Sequence, residues 1–237
     1  MVGPKRFRGN VSTTTPGVSA SVVAVVDNDG AQTIATPGGA ARVVVSAAAA
    51  PAMTLVLGHG AGGGIEARDL GALAKDLPGR GVTVVRVEQP WRVAGRKVAG
   101  PPPTLDTAWL AVLEGLDVAG PLVVGGRSAG ARVACRTATQ VGAVGCLALA
   151  FPLHPPGRPE KSRLDELLGA GVPTLVVQGE RDAFGGPKAF PRKRSRYVVR
   201  SIPGADHSFR VPAPMSQPVT LGLVTATVGE WLLSLVA

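Results

Sequence analysis

The segment Pro121 to Arg136 constrains this chain more than any other. Leu122 to Val124 read as a short apolar strand, and Ala129, Val133 and Ala134 recur at helical spacing with no breaker before Gly142. Between strand and helix stands Gly126-Arg127-Ser128-Ala129-Gly130, a G-x-S-x-G element. It forces a serine into a tight strand-to-helix turn and leaves room around it with glycines. The sequence has 32 glycines in 237 residues, so the bare pattern carries little by itself. The flanking strand and helix carry the reading of Ser128 as an exposed, activated nucleophile. The alternative is a tight turn in which Ser128 only caps the helix.

The rest of the chain fits one α/β domain over residues 21–237, preceded by a tail over 1–20 that is rich in Gly, Ser, Thr and Pro and buries little. Ser21 to Val26 and Ala31 to Ala35 flank Asp27-Asn28-Asp29-Gly30 as a hairpin would, and Arg42 to Ser46 follows as a third β-rich piece. The sheet is therefore expected to open antiparallel. From residue 53 apolar strands alternate with helical segments, the pattern of a parallel sheet covered on both faces. Strands are expected at Met53 to Leu57, Val82 to Val87, Cys146 to Ala150, Thr174 to Val177 and Tyr197 to Ile202. Helices are expected at Arg68 to Leu77, Leu105 to Leu116 and Lys161 to Leu168. A last one opens at Pro218, with Leu221, Val224, Val228, Leu232 and Leu235 on one face. Gln89 to Pro103, with Pro101-Pro102-Pro103 as a stop, and Phe151 to Pro159 read as loops that line a pocket. No block is long enough for a lid domain.

Composition bounds the function. No apolar run approaches the ~18 residues that span a bilayer, and no apolar stretch follows the basic N-terminus, so a cytoplasmic chain without a membrane partner is expected. Cys135 and Cys146 are expected to be reduced and buried. Net charge is +9, with 19 arginines among the 25 basic residues. Few aromatics and no nucleic-acid module or zinc-ligand spacing accompany it, which argues against nucleic acid as the partner.

A serine nucleophile needs a base and a group to orient that base. Only His59, His154 and His207 exist, and only the last two follow Ser128. His207, in Gly204-Ala205-Asp206-His207-Ser208-Phe209 between a strand and the last helix, is the expected base, with His154 the rival. Asp182 lies in Gly179-Glu180-Arg181-Asp182, just past a strand's carboxyl end where catalytic groups collect. It is the expected acid, with Glu180 and Asp206 as rivals. Gly58-His59-Gly60-Ala61-Gly62-Gly63-Gly64 follows the first parallel strand and offers backbone N–H groups to an oxyanion. Ala61 and Ala129 are the expected donors. As a phosphate loop this stretch fails, because no Lys-Ser/Thr follows its glycines. His59 is expected to orient the loop and, with Gly62, Trp91, Arg127 and His154, to border the substrate.

With these pieces in order, the chain resembles the α/β-hydrolase superfamily over roughly residues 41–235. Gln89-Pro90-Trp91-Arg92-Val93-Ala94-Gly95-Arg96, Phe151-Pro152-Leu153-His154-Pro155-Pro156-Gly157 and Gly179-Glu180-Arg181-Asp182 look like a small, lidless subgroup similar to dienelactone-hydrolase-like proteins. That subgroup includes the hydrolase-like domain of an animal histone-acetyltransferase complex subunit and a testis-expressed relative. The resemblance implies a three-layer fold with a mostly parallel sheet, antiparallel N-terminal strands and no lid. It also implies nucleophile Ser128, acid Asp182, base His207 and an oxyanion loop at His59 to Gly62. The expected activity is cleavage of a small-molecule ester or acyl thioester, free or carrier-bound, without metal or organic cofactor. Two other readings stay open: a catalytically silent scaffold for a protein partner, and acyl transfer or cyclisation on the same triad. The basic run Lys188, Arg192, Lys193, Arg194, Arg196 and Arg200 reads either as a solvated face or as a guide for an anionic acyl carrier.

Overall fold

The computed structural model describes residues 25–26, 31–191 and 196–236. The expected tail over 1–20, the first part of the opening strand, its Asp27 to Gly30 turn and the basic residues Arg192, Lys193 and Arg194 lie outside them.

Three strands open the sheet antiparallel: β1 (Val25–Val26), β2 (Gln32–Thr36) and β3 (Gly39–Ser46). Thr36 closes the tight β2–β3 turn, accepting the Gly38 N–H and donating to the Gly39 carbonyl through one hydroxyl. Gly39 has φ 111°, which a side chain would oppose. The chain then alternates: β4 (Met53–Gly58), α1 (Arg68–Asp76), β5 (Val82–Glu88), α2 (Pro90–Val93), α3 (Pro102–Glu114), β6 (Leu122–Arg127) and α4 (Ala129–Thr137). β7 (Gly145–Leu149), α5 (Leu164–Leu168), β8 (Thr174–Gly179), β9 (Tyr197–Ile202) and α6 (Gln217–Leu233) complete it. The described strands form one sheet in the order β1-β2-β3-β5-β4-β6-β7-β8-β9. β3 meets β5 antiparallel, and from β5 to β9 every pairing is parallel.

β4 lies between β5 and β6, so the chain leaves it toward one edge and returns on its other side. Strand order reverses there, which opens a crevice at the carboxyl ends of β4 and β6, the usual ligand position in open α/β sheets. Side chains alternate across the strands and give the sheet two apolar faces. Leu55, Leu57, Val84, Val123, Leu147 and Val177 face α1 and α6, joined by Leu70, Leu73, Val224 and Val228. Val56, Val85, Val124, Ala148 and Val176 face the other way, against Trp109, Val112, Val133 and Leu167 from α3, α4 and α5. Each fully buried Leu or Val contributes roughly 1.5–3 kcal/mol, which is why β4, β7 and β8 are buried along their whole length.

The element types agree with the expectation, and the departures concern prolines and one helix face. Pro90 starts a one-turn helix where a loop was expected, and Pro102 and Pro103 open α3 instead of ending a loop. Proline lacks an N–H that the first helical turn does not use. The α5 helix begins only at Leu164, because Ser162 Oγ accepts the Leu164 N–H and holds the preceding chain in a turn. On α6 the buried stripe runs through Thr220, Val224, Thr225, Val228, Gly229 and Leu232, with Leu221 and Leu235 only half-buried. Cys135 and Cys146 are free buried thiols with their sulfurs 3.7 Å apart. Among the described residues no helix is long and apolar enough to cross a membrane.

Candidate active site

Ser128 joins the end of β6 to the start of α4 with φ 53° and ψ −110°, a strained conformation for a side-chain-bearing residue. Its N–H is tied to the Leu149 carbonyl of the neighbouring strand. The flanking glycines explain why the turn can be so tight. A Cβ on Gly130 would lie 2.3 Å from the Gly58 carbonyl oxygen, and one on Gly126 would lie 2.6 Å from the same atom. The G-x-S-x-G spacing thus lets β4, β6 and α4 meet behind the serine. The capping alternative fails, because Ser128 makes no side-chain hydrogen bond to α4.

The hydroxyl instead faces His207, which lies in the loop between β9 and α6. Ser128 Oγ is 3.0 Å from His207 Nε2, and His207 Nδ1 is 2.8 Å from Asp182 Oδ2. A carboxylate only accepts, so Nδ1 carries the proton and Nε2 is left to accept from the serine. Asp182, in the turn after β8, is held in its own cage. Gln178 on β8 donates to Oδ2 and the Phe184 N–H donates to Oδ1, each at 2.8 Å. The Phe184 ring lies over the imidazole with centroids 4.2 Å apart. The Asp182 side chain is fully buried while His207 keeps a solvent-facing edge.

The rival acids do other work. Asp206 Oδ1 accepts the N–H groups of Ser208 and Arg210 and shapes the turn that carries His207. Glu180 is exposed and caps the same loop through the Gly204 N–H.

A cleft of about 350 Å³ opens over Ser128 and His207. Ala61, Gly62 and Ala129 line it. Ala129 is the first residue of α4, so its N–H has no intrahelical acceptor, and the Ala61 N–H takes none among the described residues. The loop is close enough that a Cβ on Gly60 would sit 3.3 Å from Ser128 Cβ.

His59 is buried and locked: Nδ1 donates to the Gly60 carbonyl at 2.9 Å and Nε2 accepts the Gln89 N–H at 3.1 Å. Burial pushes its pKa down, only partly opposed by the Gly60 hydrogen bond, so it pins the loop as a neutral ring.

Of the residues expected to border substrate, Gly62 and Arg127 line the cleft. His59 and Trp91 lie behind it, around an apolar niche of about 10 Å³ that shares Ala61 and Ala129 with the cleft. Trp91 is there because α2 turns its ring inward against His59. The structure does not bring His154 to the cleft: its Nδ1 donates to the Pro155 carbonyl and its ring packs against Gly185.

Arg127 borders the cleft with its guanidinium engaged inward. Nη2 donates to the His207 carbonyl at 2.7 Å and to Ser208 Oγ at 3.1 Å, and Nε lies 3.2 Å from Asp69 Oδ2. Asp69, on the first turn of α1, is wholly buried and its carboxylate makes no well-directed hydrogen bond among the described residues. The Arg127 contact is therefore a charge contact, not a fork. Burial raises the Asp69 pKa and Arg127 opposes the rise. Sequence reasoning missed Asp69. The available signal was its helical register with Leu73 and Leu77, which places a carboxylate on a buried stripe where it needs a cation. In the basic run, the described members Lys188, Arg196 and Arg200 are exposed and none lines the Ser128 cleft.

Residues 51–222 match the family described as Alpha/beta hydrolase domain, and the chain belongs to that family. Similar solved structures include a lidless α/β serine hydrolase from Xanthomonas campestris, 21% identical, covering 85% of this chain and 94% of that one with a TM-score of 0.61. The dienelactone hydrolase of Anabaena variabilis is 16% identical, covering 86% and 96% with a TM-score of 0.67. Est1E from Butyrivibrio proteoclasticus is 18% identical, covering 89% and 97% with a TM-score of 0.59. At these identities the likeness is one of fold. No curated protein sequence matches the chain.

Proposed function

We propose that the protein is a serine hydrolase that cleaves a carboxylic ester or thioester through an acyl-enzyme on Ser128. One observation carries the reading: the continuous hydrogen-bonded line from Asp182 Oδ2 through His207 to Ser128 Oγ. Family membership and the fold shared with a lidless serine hydrolase and a dienelactone hydrolase are in keeping with it.

His207 Nε2 takes the hydroxyl proton as Ser128 Oγ bonds to the substrate carbonyl carbon, and Asp182 stabilises the imidazolium that results. The N–H groups of Ala61 and Ala129 receive the oxyanion. Collapse expels the alcohol or thiol, which leaves with the proton from His207. Water, deprotonated by the same imidazole, then releases the acid and restores Ser128. These steps need no metal or organic cofactor, and the reading sets the enzyme in the cytoplasm, away from membrane and nucleic acid. We further place it, on its Gln89 to Arg96, Phe151 to Gly157 and Gly179 to Asp182 motifs, beside the dienelactone-hydrolase-like subgroup with its histone-acetyltransferase-complex and testis-expressed members.

The test is turnover of p-nitrophenyl esters and acyl thioesters of graded chain length. Ser128→Ala and His207→Ala are each expected to lower kcat by at least about 10³-fold while remaining folded. His154→Ala is expected to stay within a few-fold of the parent. A folded His154→Ala protein that has lost turnover, with His207→Ala active, would reassign the base. Acyl transfer is recognised by a product that carries the acyl group on an added alcohol or amine in place of the free acid.

A further inference from the structure

The Ser128 cleft is lined by Arg127, Arg132 and Arg163 and by no acidic side chain. The first two are neutralised. Arg127 meets Asp69, and Arg132 forms a fork with Glu166, Nε to Oε2 at 2.8 Å and Nη2 to Oε1 at 2.6 Å. Glu166 also accepts from Arg136, which forks to Asp106 on α3 at 2.8 and 2.6 Å. Arg132, Arg136, Asp106 and Glu166 therefore balance, two charges against two.

Arg163 stands outside this balance. Its Nη1 donates to the Pro152 carbonyl at 2.9 Å, and among the described residues no carboxylate lies within 4.0 Å of it. Arg163 is partly buried, and burial first and the neighbouring Arg132 second push its pKa down, with Glu166 giving partial relief. A partly buried cation with no carboxylate in contact gains from an anion that joins it.

Both side chains are fixed at the base. Arg132 is one helical turn past Ser128, with its N–H on the Ser128 carbonyl, and the Arg163 N–H is held by the Leu153 carbonyl at 2.7 Å. Arg163 Nε and Nη2 and Arg132 Nη1 have no acceptor among the described residues.

We infer that Arg163, assisted by the free edge of Arg132, is a subsite for a carboxylate carried by the substrate, so that the enzyme's esters bear an anionic group away from the scissile carbonyl. This rests on the proposed hydrolase activity. A planar guanidinium takes a carboxylate through two parallel hydrogen bonds. The excess of one positive charge in this wall matches a monoanion.

The test compares monoethyl esters of succinic, glutaric and adipic acid with isosteric ethyl esters in which a primary amide replaces the free carboxylate, hydrolysis being followed by acid release. For at least one chain length the parent is expected to favour the carboxylate ester in kcat/KM by roughly 10- to 100-fold, the worth of a charge-assisted hydrogen bond. Arg163→Gln is expected to bring that ratio close to one, and Arg163→Lys to retain part of it. A parent ratio of one or below at every length overturns the proposal. So does a folded Arg163→Gln enzyme with the parent's ratio, which would leave Arg163 as a clamp on the Pro152 carbonyl alone. Should no ester be turned over, the hydrolase reading fails by itself, and calorimetric titration of the parent and of Arg163→Gln with monoethyl adipate and its amide isostere decides the subsite. Binding that needs both the carboxylate and Arg163 sustains it, and equal binding or none overturns it.

Discussion

The two sides of Ser128 are built on opposite principles. Toward His59 and Trp91 the protein closes into an apolar niche of about 10 Å³ walled by Leu105, Trp109 and Val133. Toward Arg132 and Arg163 it opens into about 350 Å³ with charged walls. The closed side holds still what must not move: His59 is buried, neutral and bonded at both nitrogens, and it fixes the loop that presents the Ala61 N–H. The open side has room and, in Arg163, a cation with no carboxylate in contact among the described residues. On the proposed activity, the niche would admit only a small group near the scissile carbonyl and the cleft would receive the bulk and the charge of the substrate.

The largest effect expected from breaking this division is at Arg127, which borders the open side yet holds the loop of the proposed base. Its hold on the His207 carbonyl makes it a positioning residue. Arg127→Gln should lower kcat by roughly 10- to 100-fold with KM within about twofold, since displacement of a proton-transfer group acts on the chemical step. Asp69→Asn should repeat the effect more weakly. A rise in KM at constant kcat would return Arg127 to contact with the substrate.

A smaller effect is expected on the closed side. Trp91→Ala removes the ring that fills the space beside His59 and should cost about 3–5 kcal/mol of stability. In exchange it should raise the ratio of kcat/KM for hexyl over ethyl esters of one acid by roughly tenfold. An unchanged alcohol-length profile in a folded variant would mean that the niche does not receive the alcohol group.

How far the sequence discloses this site depends on the range of the interactions. Ser128 is readable because its constraint is local: strand, glycine, serine and helix lie within one short stretch, and the glycines answer close approaches that any such turn requires. Asp182 and His207 can be named because each comes after a readable strand and because histidine is scarce. The prolines mislead, since Pro90, Pro102 and Pro103 look alike as breakers and as helix starters, and only the register of the residues next in the chain separates them. Arg127 and Asp69 come together only when α1 packs beside β6, and the balance that isolates Arg163 needs α3, α4 and α5 in place. No spacing along the chain announces either. Trp91, expected at the substrate, lies behind the loop that carries Ala61, because the segment that aims it is a turn of helix and not a loop.

Labelling by a small fluorophosphonate tests the central claim most directly, since the reagent requires an activated serine, its base and a functional oxyanion site at once. A single adduct is expected in the intact mass of the parent, mapped to the peptide containing Gly126 to Gly130, and its loss in Ser128→Ala with the thermal midpoint kept within a few degrees. A well-folded parent that takes up no label, or one labelled at a serine other than Ser128, would contradict it and favour a scaffold in which Ser128 has no chemical part.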